Sequence, residues 1–166
     1  MSDAPKVTTF DVIFEGTARS SGKLRSDIDV EFVTTKETFK LATDEGKIHG
    51  GDNSAPPPLA LFTAALTSCL MTQIRAFAKR LRIPCDEVII KANLRWRAEQ
   101  IGREPYVGAP LGFDLDIDIQ GPETNEDKQR LLEAGCKGCF LEQMMGQANT
   151  INHRLLMDGE WQEVDV

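Results

Sequence analysis

The sequence predicts a fold of α+β class, and three patterns carry that prediction. The first third alternates apolar and polar residues in short runs. A run of about two dozen residues without internal Gly or Pro follows and reads as a long helix. Two further alternating runs then precede a second helical stretch. At 166 residues the chain has the size of one domain with a real hydrophobic core, residues 1–166.

Between Val7 and Leu41 the alternations Phe10-Val12-Phe14 and Ile28-Val30-Phe32 are separated by turn residues around Gly16, Ser20-Ser21-Gly22 and Thr34-Thr35-Lys36, which predicts strands. The loop Gly50-Gly51-Asp52-Asn53-Ser54-Ala55-Pro56-Pro57-Pro58 follows, its prolines suited to a first helical turn. From Leu59 to about Arg82 good helix formers continue unbroken, with Pro84 as the stop. That length predicts a helix of about six turns. Its first half is apolar almost all round and its second half carries Arg75, Lys79, Arg80 and Arg82, cations that suit the C-terminal end of the dipole.

Val88-Ile90-Ala92-Leu94-Trp96 and Phe113-Leu115-Ile117-Ile119 alternate with polar residues, so each predicts a strand with one buried face. The segment between them, holding Gly102, Pro105, Gly108, Pro110 and Gly112, is expected as a loop. Thr124 with Asp127 reads as a helix cap, and Gly135 with Gly138 as a break that starts a new short helix near Cys139. Asp158-Gly159 reads as a turn between strand-like Leu155 to Met157 and Trp161.

A net charge of -7 and a pI near 4.9 disfavour a nucleic-acid partner, since phosphate binding needs clustered Lys and Arg. The start lacks the apolar core of a signal peptide, and the apolar run Leu59 to Met71 is too short to cross a bilayer. A soluble cytoplasmic protein, with no membrane partner, is the expectation. Cys69, Cys85, Cys136 and Cys139 are then free or redox thiols or metal ligands rather than a disulfide framework.

Cys69 lies in the apolar helix, either as a small buried hydrophobe or as a reactive sulfur in a pocket made polar by Thr63, Thr67, Ser68, Thr72 and Gln73. Cys136-Lys137-Gly138-Cys139 has the C-x-x-C spacing of redox exchange or metal binding. Structural zinc needs about four ligands, and only His49 and His153 are available to add, so no metal or other cofactor is expected. Cys85, near Arg82, reads as a bystander.

The run from Gly50 through Pro56-Pro57-Pro58-Leu59-Ala60-Leu61-Phe62-Thr63-Ala64-Ala65-Leu66-Thr67-Ser68-Cys69-Leu70 closely resembles the signature of the OsmC/Ohr family, and Cys139-Phe140-Leu141-Glu142 sits where that family carries its second cysteine. The resemblance implies an OsmC-like fold, antiparallel sheets wrapped around long central helices in an intertwined homodimer. A helix apolar on all sides needs cover on all sides, which agrees.

The resemblance further implies a thiol-dependent peroxidase acting on organic hydroperoxides or hydrogen peroxide. Cys69 attacks the O–O bond, Cys139 captures the sulfenic acid as a disulfide, and an external dithiol reduces it. A family arginine from the N-terminal strands would favour the thiolate, and Arg19 and Arg25 are the candidates. The family's glutamate in the first turn of the cysteine helix, which orients that arginine, is replaced here by Leu59 and Ala60. That departure supports a second reading, a catalytically weak member binding a small apolar ligand at the dimer interface. Cys136 is open to two roles, resolving in place of Cys139 or closing a Cys136–Cys139 disulfide.

Overall fold

The structure, a computed structural model, describes residues 7–164 and combines strands and helices as an α+β protein. The chain divides into two compact units, Met1–Phe62 and Thr63–Val166.

The first unit holds a three-stranded antiparallel meander, β1 (Phe14–Ser21), β2 (Arg25–Phe32) and β3 (Glu37–Thr43), in the order β1-β2-β3. Alternation sorts its side chains by face. Ile28 pairs with Ala18 and Leu41, and Val30 with Gly16 and Phe39, on an apolar face; Asp27 pairs with Arg19 and Ala42, and Asp29 with Thr17 and Lys40, on a polar one. Phe10 and Val12 fall before β1 rather than within it, because the antiparallel ladder begins only at the Phe14–Phe32 pair.

The loop after β3 is organised by one buried carboxylate. Asp44 is 1% exposed. It accepts the N–H groups of Glu45 (2.9 Å), Asp52 (3.2 Å) and Ser54 (2.9 Å), and the Ser54 hydroxyl (2.8 Å). Those bonds from Ser54 hold the Asp44 carboxyl below the usual carboxylate range. Gly51 has to be glycine here, since a Cβ would collide with the carbonyl of Glu45.

Helix α1 (Pro58–Leu81) starts at the third proline and ends in a left-handed residue, Arg82, at φ 57°. The Ile83 N–H returns to the Ala78 carbonyl (3.0 Å) and the Arg82 N–H to Lys79 (3.3 Å), satisfying carbonyls that the helix end would leave unpaired. Its buried stripe is Leu66, Leu70, Ile74 and Ala78, four residues apart. Each large side chain there contributes about 1.5–3 kcal/mol by burial. With 24 residues, α1 is long and apolar enough to cross a membrane by length and composition. The core helix of a soluble protein passes the same test, and α1 gets its length by continuing past the apolar run Leu59 to Met71 into a segment carrying Arg75, Lys79 and Arg80.

The second unit continues with β4 (Glu87–Glu99) and β5 (Val107–Gln120), an antiparallel ribbon with a bulge at Arg95/Trp96. β5 absorbs Gly108, Pro110 and Gly112, so the expected loop shrinks to residues 100–106. α2 (Asn125–Gly138) is capped as expected by the Thr124 hydroxyl, which accepts the Asp127 N–H at 3.2 Å. α3 (Phe140–Met145) and the hairpin β6 (His153–Met157) and β7 (Glu160–Val164) complete the unit, the hairpin turning at Asp158 and Gly159 with φ 53° and 86°.

Gly135 does not break α2; the helix runs through it to Gly138. The glycines serve close approach instead. A Cβ on Gly135 would sit 2.6 Å from Ile74 Cγ1, and one on Gly138 would sit 2.5 Å from Phe77 Cε2. α2 therefore lies directly on α1, and Leu131 and Cys139 join Leu70, Ile74, Ala78, Ile83, Val88 and Ile119 in one core. Gly135→Ala gains helix propensity but overpacks a stiff β-branched neighbour. Overpacking of this kind costs about 1–3 kcal/mol, and thermal unfolding of the variant should show a lowered Tm.

Candidate active site

Cys69 projects from α1 one residue before the buried Leu70 and is itself half-buried. Two of the hydroxyls beside it turn back to their own helix. Thr67 Oγ1 donates to the carbonyls of Thr63 (3.0 Å) and Ala64 (3.1 Å), and Ser68 Oγ to those of Ala64 (2.7 Å) and Ala65 (3.2 Å). Both are satisfied by their own helix.

Cys139 is the link between α2 and α3, with extended backbone angles, and is 0% exposed. Packing of α2 on α1 brings it into one apolar cluster with Cys69, whose thiol is near enough to bear on its ionisation. Burial, and then the Cys69 thiol, push Cys139 up to about 11, against the opposing pull of the Glu142 and Leu141 N–H groups at the start of α3. The structure thus unites two of the four expected site residues.

Cys136, three residues earlier, is also pushed up to about 11, by burial first, then by the nearby Glu142 carboxylate, and by Cys139. Sequence reasoning did not single out Glu142 as a neighbour of Cys136; the contact depends on how α3 folds back against α2, which no local pattern announces. Gln143 Nε2 fixes that fold-back by donating to the Cys136 carbonyl at 3.0 Å.

Cys85 stands apart, beside a hollow of about 310 Å³ lined by Arg75, Ala78, Lys79 and Ile83. Burial and Glu123 raise its pKa while Arg75, rather than Arg82, opposes them. Among the described residues no group of three or more His, Cys, Asp or Glu could hold a metal ion.

Arg19 and Arg25 share the polar face of the first unit's sheet and line a hollow of about 450 Å³ with Asp27, Asp29 and Lys40. Arg19 Nη1 pairs with Asp29 at 3.1 Å. Arg25 binds Asp27 through Nε (3.0 Å) and Nη2 (2.8 Å), and its Nη1 reaches Ser54 Oγ at 2.9 Å. Each arginine is therefore held by a carboxylate despite Leu59 and Ala60. The signal was present in sequence: the hairpin register puts Asp27 opposite Arg19, and Asp29 one pleat further on the same face.

The family model described as OsmC-like protein matches residues 51–154. An OsmC-like hydroperoxide resistance protein from Jannaschia sp. CCS1 is 45% identical, with 92% of this chain and 98% of that one covered at a TM-score of 0.63. An organic hydroperoxide resistance protein from Legionella pneumophila is 18% identical over 83% of this chain and 90% of its own, with a TM-score of 0.57. A Vibrio cholerae relative, described as a putative organic hydroperoxide resistance protein with captopril in one active site, is 18% identical over 82% and 87%, with a TM-score of 0.56. No curated protein sequence matches.

The raised thiols are open to direct titration. Followed by thiolate absorbance, two of the four thiols should ionise only near pH 11, and Cys136→Ser and Cys139→Ser should each remove one of those steps.

Proposed function

Because the chain belongs to the OsmC-like protein family, we propose that it is a cytoplasmic homodimeric thiol peroxidase that reduces organic hydroperoxides or hydrogen peroxide. The observation that carries the reading is the gathering of Cys69 and Cys139 in one apolar cluster, a half-buried thiol and a buried one at the α1–α2 contact. The relative at 45% identity, an OsmC-like hydroperoxide resistance protein, supports a peroxide-related role.

In the proposed cycle the Cys69 thiolate attacks one peroxide oxygen, the O–O bond breaks, and the second oxygen leaves as alcohol or water after taking a proton. Cys139 then attacks the Cys69 sulfenic acid, a disulfide forms, and water departs. An external dithiol returns both sulfurs to thiols. The cation that favours the Cys69 thiolate is assigned to Arg19 or Arg25, each already oriented by its carboxylate.

Dimerisation answers an unsolved burial problem. α1 buries one stripe and leaves Leu59 51% exposed, with Ala64 and Ala65 also outside the core. The sheets carry apolar side chains facing water, including Phe14, Phe39 and Leu41. A second copy would cover such surfaces and extend two-stranded ribbons that are marginal alone.

Cys69→Ser should abolish peroxide consumption with a dithiol reductant, while Cys139→Ser should retain a single oxidation of Cys69 and lose the disulfide. Four intact thiols after an excess of tert-butyl hydroperoxide would refute the peroxidase and favour the small-ligand reading. Replacing the activating arginine by Ala should slow Cys69 oxidation about tenfold or more, since a nearby opposite charge is worth 1–3 pH units of ionisation. Stopped-flow measurement of Arg19→Ala and Arg25→Ala identifies which one acts.

A further inference from the structure

We propose that the hollow at the C-terminal end of α1 is a binding site for a small organic carboxylate, whose oxygens are held by Arg75 and Lys79 and whose apolar body lies against Ala78 and Ile83. The site belongs wholly to the second unit, uses neither Cys69 nor Cys139, and stands without the peroxidase reading.

The two cations are the first ground. Arg75 and Lys79 are four residues apart on α1, hence neighbours on one face, and both line the hollow. Like charges at that spacing destabilise a helix, and α1 contains no Asp or Glu to offset them. Among the described residues neither forms an ion pair or a side-chain hydrogen bond, although eight other Lys and Arg side chains are paired with carboxylates. The helix dipole accounts for Lys79, which lies in the last turn. Its effect fades beyond that turn, and Arg75 stands further in. A chain of net charge -7 therefore keeps two unmatched cations side by side.

The acidic neighbours leave that charge in place. Glu123 lies against Gly121, where an added Cβ would stand 3.5 Å from Cys85 Cα. Its side chain is 0% exposed, and its Oε1 is 3.3 Å from Lys128 Nζ, so its charge is both sealed and matched. Asp86, next to Cys85 in sequence, is the exposed carboxylate on this side. Two cations against Asp86 leave one positive charge in excess.

Size and lining select the kind of anion. A volume of about 310 Å³ sits at the lower end of small-molecule pockets, roughly 300–1,000 Å³. A bare oxyanion, no larger than a few waters of about 30 Å³ each, leaves more than half of it empty. Ala78 and Ile83, 5% and 8% exposed, give an apolar floor beside the Cys85 thiol. A carboxylate takes two parallel bonds from the arginine fork and a third from the lysine, and an apolar body covers the floor.

Benzoate is the probe, benzamide its neutral match and inorganic phosphate the bare anion. Calorimetric titration at low ionic strength should give benzoate a Kd of about 1 mM or tighter, about tenfold below the values for benzamide and phosphate. Arg75→Gln and Lys79→Gln should each weaken benzoate about tenfold, with thermal unfolding showing that both variants fold. Arg80→Gln, outside the hollow, should leave it unchanged. Bound benzoate should also slow alkylation of Cys85 by N-ethylmaleimide in proportion to occupancy, as mapped by mass spectrometry. Benzamide binding as tightly as benzoate, equal weakening by Arg80→Gln, or an unprotected Cys85 overturns the site. Phosphate binding as tightly as benzoate overturns the organic carboxylate as its ligand.

Discussion

The close contact of α2 with α1 is the constraint on which the placing of the sulfurs rests. Two positions without side chains, Gly135 and Gly138, let the helix backbone lie against Ile74 and Phe77. A methyl group at either place would hold the helices apart. Cys139, the residue immediately after, would then be withdrawn from Cys69. The same contact buries Leu131 and completes the core, so stability and sulfur geometry depend on one surface.

That arrangement has an electrostatic consequence. A sulfur sealed between helices is hard to ionise, and Cys139 and Cys136 both pay in raised pKa, to about 11. The start of α3 offsets part of this at Cys139 by directing two N–H groups at it. Elsewhere the chain manages charge by pairing: Arg19 and Arg25 sit among carboxylates on one sheet face, and Asp44 collects four hydrogen bonds that shape the loop before α1.

α1 shows how one composition serves different ends. Its run of apolar residues satisfies a membrane span by length and composition, yet Leu66, Leu70, Ile74 and Ala78 meet protein. In its first half Leu59, Ala64 and Ala65 stay exposed, while its second half turns Arg75, Lys79 and Arg80 outward.

Local patterns determined much of this. The proline start and Pro84 stop of α1, the Thr124 cap, the alternation in β4 and β5, the Asp158-Gly159 turn and the family signature around Cys69 are all carried by neighbours in sequence, because capping, turn chemistry and alternation act over a few residues. The glycines of α2 show where that reasoning ends. Propensity reads them as breaks, but tertiary packing rewards their missing side chains more than the helix loses. The gathering of Cys139 with Cys69, the carboxylate beside Cys136 and the self-satisfied hydroxyls of Thr67 and Ser68 were likewise decided only in three dimensions. Cys69 was marked by sequence as the sulfur to watch; which atoms surround it is set by segments some seventy residues away, whose approach no local pattern encodes.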